Sequence, residues 1–110
     1  MAMTHEFGLM SDIPQPGERY DSYEPWEYEA ISIHDECIEP LLPQLNTIDM
    51  FWHTVDAPGK GLAYCGITLI PPSAHCDVLK IIRSKDGLEQ LTELLERAAE
   101  EKKYIIHFGL

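Results

Sequence analysis

The stretch TIDMFWHTV, residues 47–55, sets aromatic and β-branched residues close together and reads as a β-strand. Both of its faces are apolar. Ile48, Met50 and Trp52 fall on one side, Phe51 and Val55 on the other. A strand with two apolar faces must be covered on both. Helices supply one cover. The other must come from an N-terminal arm or from a second subunit, and a homodimer through that face is the expectation.

Working outward, DAPGKG (56–61) is a Pro-Gly turn, and LAYCGITLI (62–70) is the natural antiparallel partner strand. Gly66 within it suggests a bulge. Upstream, YEAISI (28–33) alternates in period two and reads as a strand. HDECIEPLLPQL (34–45) then changes to near-helical spacing, with Asp35 as cap and Pro43 limiting the length. Downstream, SAHCDVLKIIRS (73–84) reads as a helix capped by Ser73, although Val78, Ile81 and Ile82 also suit a strand. Asp86 and Glu89 have capping-box spacing ahead of a helix whose apolar stripe is Leu88, Leu91, Leu94, Leu95, Ala98 and Ala99. YIIHFGL (104–110) is the last strand.

This order predicts an α+β fold: a four-stranded antiparallel sheet with helices on one face, in the ferredoxin-like βαββαβ order. Residues 1–27 are expected to form an irregular arm, broken by Pro14, Pro16, Gly17 and Pro25, ahead of a single α+β domain at 28–110. Phe7, Leu9, Met10, Ile13, Tyr20, Tyr23 and Trp26 are too apolar for a solvated tail, so the arm should pack.

The chain has 110 residues, 45% of them apolar, enough for one domain with its own core. No run approaches the ~20 apolar residues of a membrane span. The start lacks a basic, long-apolar leader, and the three cysteines form no disulfide framework, so a cytoplasmic protein with reduced thiols is expected. The net charge of −11 is uneven: residues 1–56 hold twelve acids and one base, Arg19, and the remainder balances. Such a surface repels nucleic acid and anionic membrane, and it steers a basic protein partner.

Chemistry-bearing motifs are sparse. His34 and Cys37 share a helical face and are weak metal candidates, without a second ligand pair. Cys76 beside His75 near a helix start could be a thiolate, but Asp77 and the net charge oppose ionisation. No nucleophile elbow, dinucleotide fingerprint or P-loop is present. No catalytic residue and no cofactor is therefore assigned. ERYDSYEPWEYEA (18–30) interleaves rings with acids, and Tyr20, Tyr23, Glu24, Trp26, Glu27 and Tyr28 form the expected partner-binding set. Trp52, His53 and Tyr64 are the candidates for a ligand pocket between arm and sheet.

The leading expectation is a small, acidic, non-catalytic protein-binding or regulatory domain, such as an immunity- or antitoxin-type inhibitor of a basic partner. The alternatives are a ligand-binding domain or enzyme using that pocket, and a metal-binding protein using His34 and Cys37.

Overall fold

The computed structural model describes residues 3–110. In chain order it has strands β1 (Thr4–Leu9) and β2 (Ile31–His34), short helices α1 (Asp35–Ile38) and α2 (Leu42–Leu45), and strands β3 (Asp49–Trp52), β4 (Pro58–Lys60) and β5 (Ile67–Ile70). Helices α3 (His75–Ile82) and α4 (Glu89–Glu101) follow, and β6 (Ile105–Phe108) ends the series. The six strands form one antiparallel sheet in the order β2-β1-β6-β5-β3-β4.

This corrects the expected four-stranded, ferredoxin-like βαββαβ arrangement. The α+β class holds, but two further strands lie where the sequence predicts an irregular arm and a turn. Residues 4–9 are not irregular: they form β1, inserted between β2 and β6. The 28–33 segment, which the split βαβ order places inside the sheet, contributes the edge strand β2 instead. The second addition, β4, lies within the Pro-Gly turn, at the opposite edge, where a proline does no harm to pairing. The 62–70 strand shortens to 67–70, because residues 62–66 loop back toward the C-terminus: Gly109 N–H donates to Gly66 O, and Leu110 N–H donates to Tyr64 O.

Helix α3 forms within the 73–84 segment, after a 3-10 turn at Pro72–Ala74 that displaces Ser73 from the cap. Helix α4 keeps its apolar stripe, with Leu91, Leu95 and Ala98 buried. Its capping box does not form. Leu88 is the N-cap, fully buried, so packing rather than a side-chain hydrogen bond sets the entry.

The sheet is covered on both faces. Phe7, Met50, Ile70 and Ile105 face the helices and pack with Ile38, Val78, Ile82, Leu91 and Leu95. Ile67, Leu69, Ile106 and Phe108 face the other way and pack with Met10, Tyr20, Tyr28, Phe51 and Val55. The second cover is thus the β1–β2 connection, residues 10–30, laid across the sheet in the same chain. Two backbone bonds hold it: Met10 N–H to Tyr104 O at 2.9 Å and Tyr20 N–H to His53 O at 2.7 Å.

Gly8 lets this cover sit close. A Cβ at Gly8 would lie 2.5 Å from the Tyr28 Cβ and 3.2 Å from its carbonyl oxygen. Gly8→Ala is therefore expected to destabilise the protein by about 1–3 kcal/mol through overpacking, read as a lower urea midpoint. An unchanged midpoint would show that the connection lifts freely.

Candidate functional site

Two constellations stand out, one buried and one exposed. The buried one begins at Asp35, the first residue of α1. Asp35 does not cap the helix. Its Oδ1 lies 2.8 Å from His5 Nε2, and its Oδ2 accepts the Tyr64 hydroxyl at 2.7 Å. His5 Nδ1 meets His107 Nε2 at 2.8 Å, and His107 Nδ1 meets Thr68 Oγ1 at 3.1 Å. Thr68 Oγ1 also accepts the Ala63 N–H at 2.8 Å. Strands β1, β5 and β6 bring His5, Thr68 and His107 to the helix-facing side, while Gly109 gives the 63–64 backbone room to approach.

The proton positions follow from one end. An ionised carboxylate only accepts, so His5 Nε2 carries a hydrogen. In a neutral His5 ring, Nδ1 then accepts from His107 Nε2–H, and His107 Nδ1 accepts from the Thr68 hydroxyl. The pKa shifts agree with this. Hydrogen bonds from Tyr64 and then His5 hold Asp35 below the usual carboxylate range. The Tyr64 hydroxyl, bonded to that carboxylate, is pushed up to about 12. Burial, and then His5, press the His107 pKa well below the usual value.

Both imidazoles are completely buried with every nitrogen engaged, so neither reaches a ligand. Asp35 is 13% exposed, and its lowered pKa makes it an acceptor at neutral pH rather than an acid. The cluster fastens the two outer segments of the chain to α1, to the 62–66 loop and to β5. Asp35→Ala removes the acceptor for two donors and is expected to lower Tm. Asp35→Asn should lower it less, because its amide can donate to His5 Nε2 and accept from Tyr64 if every proton in the row reverses. Nitrogen-15 NMR reads this directly: Nε2–H on His107 in the wild type, Nδ1–H in the Asn variant. A wild-type Nδ1–H tautomer would refute the assignment.

The exposed constellation is built on the 3-10 turn Pro25–Tyr28. With three residues per turn, Pro25 and Tyr28 share the inward side, and Trp26 and Glu27 face water. The six expected partner-binding residues therefore split. Tyr20 and Tyr28 are half-buried on the sheet. Tyr23, Glu24, Trp26 and Glu27 are exposed, with Tyr23 at 55% and Trp26 at 66%. The Tyr23 ring sits edge-on to Phe108 at 5.7 Å and to Trp26 at 6.1 Å, and its hydroxyl donates to Glu6.

The pocket candidates also separate. His53 lines an open cleft of about 650 Å³ with Glu6, Asp21, Tyr23, Cys65 and Phe108. Trp52 and Tyr64 line a different depression of about 570 Å³ beside Asn46 and Lys60. His53 has a positive φ of 65° and immediately follows β3. Its Nδ1 lies 3.0 Å from Asp21 Oδ1 and 3.1 Å from Tyr20 O, so the imidazole clamps the connection in place.

His34 ends β2, and Cys37 Sγ packs against Gly87, where a Cβ would come within 2.8 Å. Among the described residues no group of three or more His, Cys, Asp or Glu side chains could hold a metal ion. The three cysteines are unpaired. His75 is buried and donates from Nε2 to Lys103 O at 2.7 Å, while Cys76 is exposed. No helix among the described residues is long and apolar enough to cross a membrane.

Sequence reasoning did not find the His5, Asp35, Thr68 and His107 row. The period-two pattern His5, Phe7, Leu9 is the available signal for β1, and Asp35, at the start of a near-helical segment, reads locally as a cap. No family model, no curated protein and no solved structure matches the chain.

Proposed function

We propose that the protein is a small acidic, non-catalytic binding domain that engages a basic protein partner through the exposed face around Tyr23, Glu24, Trp26 and Glu27. The observation that carries this reading is the exposure of Trp26 and Tyr23 among carboxylates. Large aromatic residues kept at the surface are typical anchors of protein interfaces. The surrounding acids, part of the surplus of the first half of the chain, favour a cationic partner and fast association. An inhibitor of a basic toxin-like protein, acting in the cytoplasm, is the most concrete form of this reading.

The test uses a purified basic partner obtained by capture at low salt. Its affinity should fall about tenfold or more when salt rises to about 0.5 M, and it should fall again in Trp26→Ala. A salt-independent affinity that is indifferent to Trp26 would end the reading.

A second reading is favoured by the cleft of about 650 Å³ between connection and sheet, where Glu6, Asp21 and His53 converge. A small cationic or hydrogen-bonding ligand there would raise Tm and perturb the His53 ring resonances. A ligand screen that left both unchanged would remove it.

A further inference from the structure

A groove of about 360 Å³ runs beside the exposed rings, lined by Glu6, Tyr23, Pro25, Trp26, Glu29 and Ala30. Its walls are two aromatic rings set nearly perpendicular, at 80°. Its polar groups are two carboxylates, and its lining holds no base. Arg19, the one cation of the first half, is paired elsewhere, with Asp21 at 2.9 Å. The Tyr23 hydroxyl already occupies Glu6 as an acceptor, which fixes the ring and leaves Glu29 as the freer carboxylate. Glu29 is held at the rim by its left-handed backbone, at φ 50°, which closes the 3-10 turn.

We propose that this groove takes an arginine side chain of the partner. The inference rests on the basic-partner reading and names the element of the partner that is recognised. A guanidinium is planar, stacks on an indole or phenol face, and presents a fork of donors that fits a carboxylate. A lysine ammonium would keep the charge pairing but lose the stacking. A trimethylated lysine would need more rings than the two present, and could not hydrogen-bond Glu29. The floor of Pro25 and Ala30 suits the aliphatic stem of the side chain.

The test needs no known partner. Three capped tripeptides, Gly-Arg-Gly, Gly-Lys-Gly and Gly-citrulline-Gly, are titrated into nitrogen-15-labelled protein, and the Trp26 indole N–H is followed. The arginine peptide should move this resonance saturably. It should bind about five- to thirty-fold tighter than the citrulline peptide, which has the same shape without the charge. Glu29→Gln should abolish or sharply weaken this shift, and Trp26→Leu, followed at the Glu29 and Ala30 backbone N–H resonances that line the same groove, should abolish or sharply weaken binding, with the remaining spectrum showing an intact fold. Equal binding of citrulline, tighter binding of lysine, or binding unchanged in Trp26→Leu would overturn the proposal. Failure here would leave the basic-partner reading standing wherever the purified partner still shows salt-sensitive affinity. Loss of that salt sensitivity, with the arginine peptide still bound, would sink the broader reading alone.

Discussion

Truncating Phe108 to alanine is expected to cost about 3–5 kcal/mol and to loosen the connection that covers the sheet. Phe108 is 1% exposed on a central strand and faces that connection. The ring centroids of Tyr23 and Tyr28 lie 5.7 and 6.0 Å from its own. Removing the ring therefore leaves a cavity and takes the support from under the binding face. Urea unfolding should show the loss, and limited proteolysis should cut within residues 10–30 first. Phe108→Leu keeps most of the volume and should cost under about 1.5 kcal/mol, so it serves where the alanine variant does not fold. An alanine variant within about 0.5 kcal/mol of wild type would show that the connection does not depend on this ring.

The second large effect is acid sensitivity in a range where carboxylates are still ionised. His107 and His75 both have lowered pKa values, each because burial disfavours the cation. An unfolded histidine titrates near ~6.5, so below that pH the unfolded chain binds protons that the folded one refuses. Stability is complete above that value and declines as pH falls toward the folded pKa values. Each histidine contributes up to about a tenfold loss in the folding constant per pH unit. Asp35, whose pKa is lowered, adds its own loss only below the ordinary carboxylate range near ~3.9. The window between about 6.5 and 4 is therefore the histidines' own. Urea midpoints measured at pH 7.5, 6.5, 5.5 and 4.5 should decline steadily. Replacing His75 by Gln should reduce the slope just below pH ~6.5 and leave the part that belongs to His107, the more strongly lowered of the two. A flat profile down to pH 5 would contradict the burial argument.

How far the sequence disclosed the molecule depends on the distance over which each signal acts. The 47–55 segment announced two covered faces because its own alternation is apolar on both sides, and the structure supplies both covers. The amphipathic stripe of α4 was equally local. Strand β1 was obscured because its helix-facing side begins with His5, a polar residue whose burial makes sense only beside Asp35 and His107. Those partners lie 30 and 102 positions away, and no local pattern connects them. In IHDEC, four reactive side chains stand in a row. The fold gives only Asp35 a place in the buried network, while the Cys37 thiol packs against Gly87. Within the aromatic arm the residue types pointed to an interface. The threefold turn at Pro25–Tyr28 then decided which rings face in and which face out.

The strand order carries a kinetic consequence. β6 occupies an inner position, with β2 and β1 on one side and β5, β3 and β4 on the other. A nascent chain that has not yet released residues 105–108 holds two half-sheets, one of two strands and one of three, with no strand pairing between them. Both halves expose the rows that β6 will later pair. Assembly must wait for the most sequence-distant contacts, which favours slow, late, all-at-once folding over gradual growth from the N-terminus.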